Sequence, residues 1–184
     1  MGKIKVSACE LDGMFVLEPQ VHGDERGYFM ETYNQQDMAE AGLHMVFVQD
    51  NQSKSKQGVL RGLHYQINHP QGKLVRVILG EVFDVGVDLR PGSQTYGKWH
   101  GEILSEKNNK QLYIPEGFAH GFYVLSEEAV FGYKCTDFYH PGDDAGIRWN
   151  DPDLSIEWPL LEGIPVQLSE KDKVQPFFLE RSQE

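Results

Sequence analysis

The stretch Val82-Phe83-Asp84-Val85-Gly86-Val87-Asp88-Leu89 alternates apolar and polar residues along its whole length. Phe83, Val85, Val87 and Leu89 fall on one side, and Asp84, Gly86 and Asp88 on the other. A period of two is the mark of a β-strand with one apolar and one polar face. Gly80-Glu81 lies just before it, and Lys73–Leu79 is a second β-rich run. A tight hairpin at Gly80-Glu81 would pair the two runs. Further strands are expected at Gly13–Glu18, Gly27–Thr32, Val46–Gln52, Val59–Gln66, Trp99–Leu104, Gln111–Ile114, Gly121–Leu125 and Ala129–Phe138. Asn34–Gly42 is the one good helix candidate, with Asn34 to cap it and Gly42 to end it. From Pro141 onward the chain is rich in Pro, Gly and Asp and is expected to wrap the barrel as loops and short turns. Many short strands with a single helix predict an all-β jelly roll or related barrel.

Composition narrows the function classes. The 184 residues fit one domain, spanning 1–184, and suffice for a sizeable core. Hydrophobic residues at 40% and charged residues at 24% argue for a folded chain rather than a disordered one. With 17 Lys and Arg against 28 Asp and Glu, the net charge is −11, which disfavours nucleic acid and anionic membranes as partners. A small anion can still bind where the few cations converge. Cys9 and Cys135 make neither a metal-ligand pattern nor a disulfide framework. No signal-peptide pattern and no apolar run of membrane-spanning length occurs, and Val6 stands where a myristoylation motif needs Ser or Thr. A reduced, cytoplasmic protein is expected. Without a G-x-G-x-x-G turn or strand–helix alternation, a Rossmann-type nicotinamide site is disfavoured.

Three stretches stand out, the third being Gly132-Tyr133-Lys134, and the first two form a pair. Gly58 and Arg61-Gly62-Leu63-His64-Tyr65-Gln66, followed by Ile114-Pro115-Glu116-Gly117-Phe118-Ala119-His120-Gly121, resemble the paired signatures of the cupin superfamily. A metal cupin has a second His two residues after the first and then a Glu. Here Gln66 holds the first of those positions, and no carboxylate occurs between Asn68 and Gly72. His64 and His120 alone are too few for a firm divalent site, so no metal is expected in the barrel.

A finer resemblance covers nearly the whole chain. Gly23-Asp24-Glu25-Arg26-Gly27, Val48-Gln49-Asp50-Asn51, Val59-Leu60-Arg61-Gly62-Leu63-His64, Gln71-Gly72-Lys73-Leu74-Val75-Arg76, the stretch from Ile114 to Gly121, and Ser169-Glu170-Lys171-Asp172 occur in this order. Together they are similar to the dTDP-4-dehydrorhamnose 3,5-epimerase family. That resemblance implies a cupin-type jelly roll, a homodimer, no metal and no redox cofactor. It implies a dTDP-linked 4-keto-6-deoxyhexose as substrate, inverted at the two carbons beside the ketone.

The resemblance makes His64 the base, Asp172 its partner and Tyr133 the acid on the opposite face. Lys73, helped by His120, would stabilise the enolate oxygen. It assigns substrate contacts to Arg26, Glu31, Gln49, Asn51, Arg61 and Lys171. An aromatic at Phe138 or Tyr139 would stack on thymine, and Tyr139 is the choice. Asp144 is a further contact, although the family often has Glu there. These residue types suit the reaction. A proton beside a ketone leaves only to a placed base and with the enolate charge stabilised, and histidine titrates near working pH.

Local geometry adds two expectations. Across a tight hairpin Lys73 and Asp84 share a face, so Asp84 would hold Lys73. By strict alternation Arg61 points away from the His64 face, unless a bulge at Gly62 re-aims it. Blander roles compete. A lone histidine is more often a hydrogen-bonded structural residue, Tyr133 could be core packing, and Asp172 could be a capping turn residue. Competing functions are a single-carbon epimerase or isomerase of a related deoxysugar nucleotide, a metal cupin, and a sugar-binding jelly roll.

Overall fold

The alternating runs form two antiparallel sheets in the computed structural model, which describes residues 4–181. In chain order the strands are β1 (Lys5–Ala8), β2 (Phe15–Glu18), β3 (Val21–Asp24), β4 (Gly27–Met30), β5 (Gln49–Lys56), β6 (Leu60–Gln66) and β7 (Lys73–Leu79). There follow β8 (Glu81–Asp88), β9 (Trp99–Ser105), β10 (Gln111–Ile114), β11 (Phe118–Val124), β12 (Glu128–Cys135) and β13 (Asp144–Gly146). Helix α1 (Gln35–Glu40) precedes β5, and α2 (Glu170–Lys173) lies in the tail. One sheet has the order β1-β2-β10-β7-β12-β5 and the other β13-β6-β11-β8-β9, with β3–β4 a separate exposed hairpin. This is the jelly roll that the strand pattern predicts. Among the described residues no helix is long and apolar enough to cross a membrane.

The helix expectation is met. The Asn34 side chain accepts from the Gln36 and Asp37 amides, satisfying donors that the first turn cannot. Gly42 follows with φ +84°, where a side chain would be strained.

The Gly80-Glu81 hairpin does not form. β7 pairs with β10 and β12, while β8 pairs with β11 and β9 in the opposite sheet. Gly80, at φ +81°, turns the chain from one sheet to the other, and a Cβ there would meet the Glu128 carbonyl oxygen at 2.1 Å. Bringing the two sheets face to face buries more apolar surface than a two-stranded ribbon can.

The faces of β8 are also not those of a simple half-buried strand. Its polar side looks inward. Val82 packs between the sheets with Val75, Val77, Phe122 and Phe131, and Asp84 and Gly86 share its face. Phe83, Val85 and Val87 look outward and are covered by Ile147, Leu154, Trp158 and Phe178. The tail thus supplies a second apolar layer over the outside of the barrel. It also gives β13, an unexpected strand that pairs with β6. β1 and β3 were likewise not legible as strands.

β5 begins and ends later than expected, at Gln49–Lys56 instead of Val46–Gln52. Val46 and Val48 are exposed, whereas the alternate residues Gln49, Asn51, Ser53 and Ser55 turn inward. The interior beside β5 is polar, so apolar periodicity misplaces the strand. β12 similarly stops at Cys135 instead of Phe138.

The bulge at Gly62 is present. His120 of β11 pairs with His64 of β6, yet Phe122 pairs with Arg61, so two steps on one strand match three on the other. The extra residue brings Arg61 and His64 to the same face. Gly62 has φ +116°, and a Cβ there would lie 2.6 Å from both Gly121 Cα and the His120 carbonyl oxygen. Both obstacles are backbone. Gly62→Ala should therefore destabilise the protein by about 2–4 kcal/mol, read as a lower urea midpoint at unchanged slope. A midpoint like that of the parent would mean the bulge relaxes freely.

Candidate active site

The interior faces of the strands change character along the barrel. β7 runs from Val77 and Val75 to Lys73, and β12 from Phe131 to Tyr133. β11 runs from Val124 and Phe122 to His120. At the polar end a cavity of about 410 Å³ opens, with Phe122 and Phe131 in its lining. Nine of the residues expected in the site line it: His64, Lys73, His120, Tyr133, Gln49, Asn51, Arg61, Tyr139 and Asp144.

Asp172 stands directly behind His64. Ser169 caps α2 by accepting the Asp172 amide at 3.1 Å, as a turn residue would require. The Asp172 carboxylate is 2% exposed, and its Oδ1 lies 2.5 Å from His64 Nε2. Capping and the contact with His64 therefore coexist, because the cap uses the backbone of Asp172 and leaves its side chain free. Burial raises the Asp172 pKa, but hydrogen bonds from His64, Ser169 and the Gly62 backbone outweigh it, so the carboxyl is held below its usual range. An ionised Asp172 accepts the Nε2 proton, which leaves Nδ1 of neutral His64 as a lone-pair acceptor.

A second histidine–carboxylate pair sits across the cavity. His120 Nε2 and Asp84 Oδ2 are 2.8 Å apart, and Asp84 is fully buried. The expectation that Asp84 holds Lys73 charged and oriented is thus met in charge but not in contact, since Asp84 has no hydrogen bond to Lys73. The bond goes to His120, because β8 pairs with β11 and not with β7. Lys73 still feels the Asp84 charge across the interior. Burial pushes the Lys73 pKa down, with Cys135 and Asp84 opposing that shift. Burial also lowers the His120 pKa, against the pull of Asp84. Burial thus pushes both Lys73 and His120 towards their neutral forms, and the Asp84 carboxylate opposes this at each.

Tyr133 contacts the apolar cluster on one side and the cavity on the other. Burial raises its pKa, so the phenol keeps its proton at neutral pH and is a donor. It pairs in register with Asn51, whose Oδ1 accepts from Gln49 Nε2 at 3.1 Å and whose side-chain nitrogen donates to Cys135 Sγ at 3.6 Å. Gln49 Oε1 accepts the Tyr139 amide at 2.9 Å, which ties the Tyr139 segment to β5. Arg61 Nε donates to Ser55 at 3.1 Å. Asp144 pairs with the Lys171 ammonium and accepts from the Tyr139 hydroxyl at 3.4 Å. Lys171 therefore reaches the rim through Asp144.

Arg26 and Glu31 are not brought to this cavity. Arg26 lies on the exposed β3–β4 hairpin, paired with Asp24, and Glu31 lines a separate small recess and accepts from Asn34. Phe138 is exposed and does not line the cavity, whereas Tyr139 does. Ser53, Gln66 and Gln71 line it unforeseen. Ser53 was detectable in principle, since it continues the inward alternation of Gln49 and Asn51.

A family model described as dTDP-4-dehydrorhamnose 3,5-epimerase matches residues 8–180. The chain belongs to that family. It is an epimerase, a member of the isomerase class. The dTDP-4-dehydrorhamnose 3,5-epimerase of Methanothermobacter thermautotrophicus is 56% identical over 94% of each chain. The dTDP-6-deoxy-D-glucose-3,5-epimerase of Legionella pneumophila, solved in complex with dTDP-4-keto-L-rhamnose, is 52% identical with a TM-score of 0.91, covering 95% of this chain and 92% of that one. A double mutant of a 3′-monoepimerase from Streptomyces bikiniensis, in complex with dTDP, is 31% identical with a TM-score of 0.85, covering 92% and 85%.

The Asp172 shift has a sign that can be checked. Its folded pKa is depressed, so its contribution is full above the unfolded value and is lost as pH falls through the folded one. Asp172→Asn should unfold at lower denaturant than the parent at pH 7, with the gap narrowing below about pH 4. A gap that stays constant with pH would show that the ionised carboxylate carries none of the effect.

Proposed function

We propose that this cavity inverts C3 and C5 of dTDP-4-dehydro-6-deoxy-D-glucose, giving dTDP-4-dehydro-L-rhamnose for dTDP-L-rhamnose synthesis. The observation that carries the reading is the opposition of a carboxylate-held base, His64, and a protonated phenol, Tyr133, around one cavity that Lys73 also lines. His64 Nδ1 takes the proton from the carbon beside the ketone, and the C–H electron pair becomes the enolate. Lys73 donates to the enolate oxygen, stabilising charge where it develops, and His120 adds a second donor when Asp84 holds it as the imidazolium, with Nδ1–H free. Tyr133 then gives its proton to the other face of the same carbon. Solvent removes the proton from His64 and restores the one on Tyr133 before the next inversion. No metal is required, since base, acid and the donor to the enolate oxygen are all side chains lining the cavity. Arg61 supplies the pyrophosphate with a planar cation, Tyr139 stacks on thymine, and Gln49, Asn51, Asp144 and Lys171 complete the rim.

His64→Asn should abolish solvent deuterium exchange at both carbons, a loss on the order of 10²–10⁴-fold. Tyr133→Phe should let His64 remove a proton and return it to the same face. In deuterated water that variant should incorporate deuterium with retention while inversion falls much further. Equal loss of exchange and inversion would remove Tyr133 from the acid role. The monoepimerase relative shows that this fold also serves single inversions, and deuterium at only one carbon in the parent protein would favour that reading.

A cytoplasmic homodimer accounts for the two distant residues. Arg26 stands on an exposed arm with Tyr28 and Phe29, which are 61% and 65% exposed. Such an apolar arm favours a partner, and a second copy would receive Arg26 and Glu31 at the mouth of its own site. Arg26→Ala and His64→Asn should then each be weak or inactive alone. After mixing and refolding together they should recover activity, because one site in the mixed dimer has both residues. No recovery, in a preparation shown by sedimentation to contain dimers, would place Arg26 in its own chain's site or outside catalysis.

A further inference from the structure

We propose that His69, Asp137 and His140 form a divalent transition-metal site, of the zinc class, on the cavity rim beside Tyr139. Among the described residues this is the one group of three such side chains whose ligand atoms lie within 4.8 Å of one another. The His69 and His140 rings stack at 4.0 Å with 18° between planes, and Asp137 Oδ2 lies 3.8 Å from His69 Nδ1. Ligands at zinc bond lengths in a tetrahedron sit about 3.3 Å apart, so the two rings must turn out of their stack to aim their in-plane lone pairs at one ion. All three side chains are at least partly exposed and free to turn. Two imidazoles and one carboxylate select zinc, nickel or copper over magnesium or calcium, which prefer all-oxygen sites. The fourth position stays open to water.

The backbone beneath the cluster is held rigidly by two buried side chains. Gln66 Nε2 donates to the His69 carbonyl at 2.6 Å and to the Phe138 carbonyl at 3.2 Å, and its Oε1 accepts the His140 amide at 2.7 Å. Asp143 accepts the His69 amide at 2.7 Å and both the backbone and side-chain amides of Asn68. Asp137 itself accepts the Phe138 amide at 2.7 Å through Oδ1, which leaves Oδ2 for the ion. Two loops far apart in sequence are thus fixed so that their ligands meet. Such supporting bonds are what a preorganised metal site needs.

The position gives the ion a role. Asp137 and His140 flank Phe138 and Tyr139, so an ion bridging both would clamp the segment that places the Tyr139 ring over the cavity. The ion takes no part in proton transfer, because none of its ligands lines the cavity. It tunes nucleotide binding, and by linkage the nucleotide tunes ion binding by the same factor. This coupling rests on Tyr139 stacking on the base, whereas ion binding does not.

The test is calorimetric titration of chelator-stripped protein with zinc chloride alone. One zinc per chain should bind, and His69→Ala/His140→Ala should lower the affinity at least about 100-fold, the upper end of the loss from removing a supporting partner alone. Asp137→Asn should weaken it less. Stripped parent and double variant should both retain epimerase turnover, which shows that they are folded. No saturable binding, or equal binding by the double variant, would overturn the site and assign any bound zinc to other histidines. Titration with dTDP, with and without saturating zinc, should show a several-fold shift in the parent and none in the double variant. Unchanged dTDP affinity in a parent that binds zinc would overturn the clamp, while the epimerase reading would fall only with the deuterium experiments.

Discussion

The contact between Asp172 and His64 joins residues 108 positions apart, and much of the molecule depends on it. It fastens the tail to β6. The same tail lays Ile147, Leu154, Trp158 and Phe178 over the outward face of β8 and β11. Without that cover, a row of large apolar side chains would face water, each worth about 1.5–3 kcal/mol of burial. The tail therefore closes the second apolar layer and delivers the carboxylate that holds His64.

The barrel pays for its chemistry at one end only. Lys73, Asp84 and His120 are all buried, which ordinary cores avoid. Asp84 Oδ1 has no hydrogen-bond partner within the structure. Such a group is costly unless a charge or ligand nearby offsets it, and Lys73 is the neighbour whose charged form Asp84 favours. Towards the other end Val75, Val77, Val82, Val124 and Phe131 form an apolar plug. That plug lets the polar end be strained without the sheets separating.

Much of this was legible in the chain. The strand alternation of Val82–Leu89 and the Asn34–Gly42 helix follow from local rules, and the ordered motifs led to His64, Lys73, Tyr133 and Asp172. The failures share a cause. β5 was misplaced because its inward residues, Gln49, Asn51 and Ser53, are polar, so the usual signal of burial is reversed. The hairpin at Gly80 was misjudged because a two-residue turn and a crossing between sheets begin with the same glycine. β13 was missed because three residues carry too little pattern, and only the neighbouring edge of β6 makes them a strand.

Residue types and their order determined the class of chemistry, since few side chains can remove and return a proton beside a ketone. Local periodicity determined that the chain is built of strands. Pairing was left to the tertiary structure. It assigned Asp84 to His120 instead of Lys73, because partners are set by which strands adjoin and not by spacing along the chain. It also turned Arg61 to the side of His64, through one extra residue accommodated where Gly62 meets Gly121. Such choices depend on backbone packing across the whole barrel, and contacts between residues distant in the chain have no local signature.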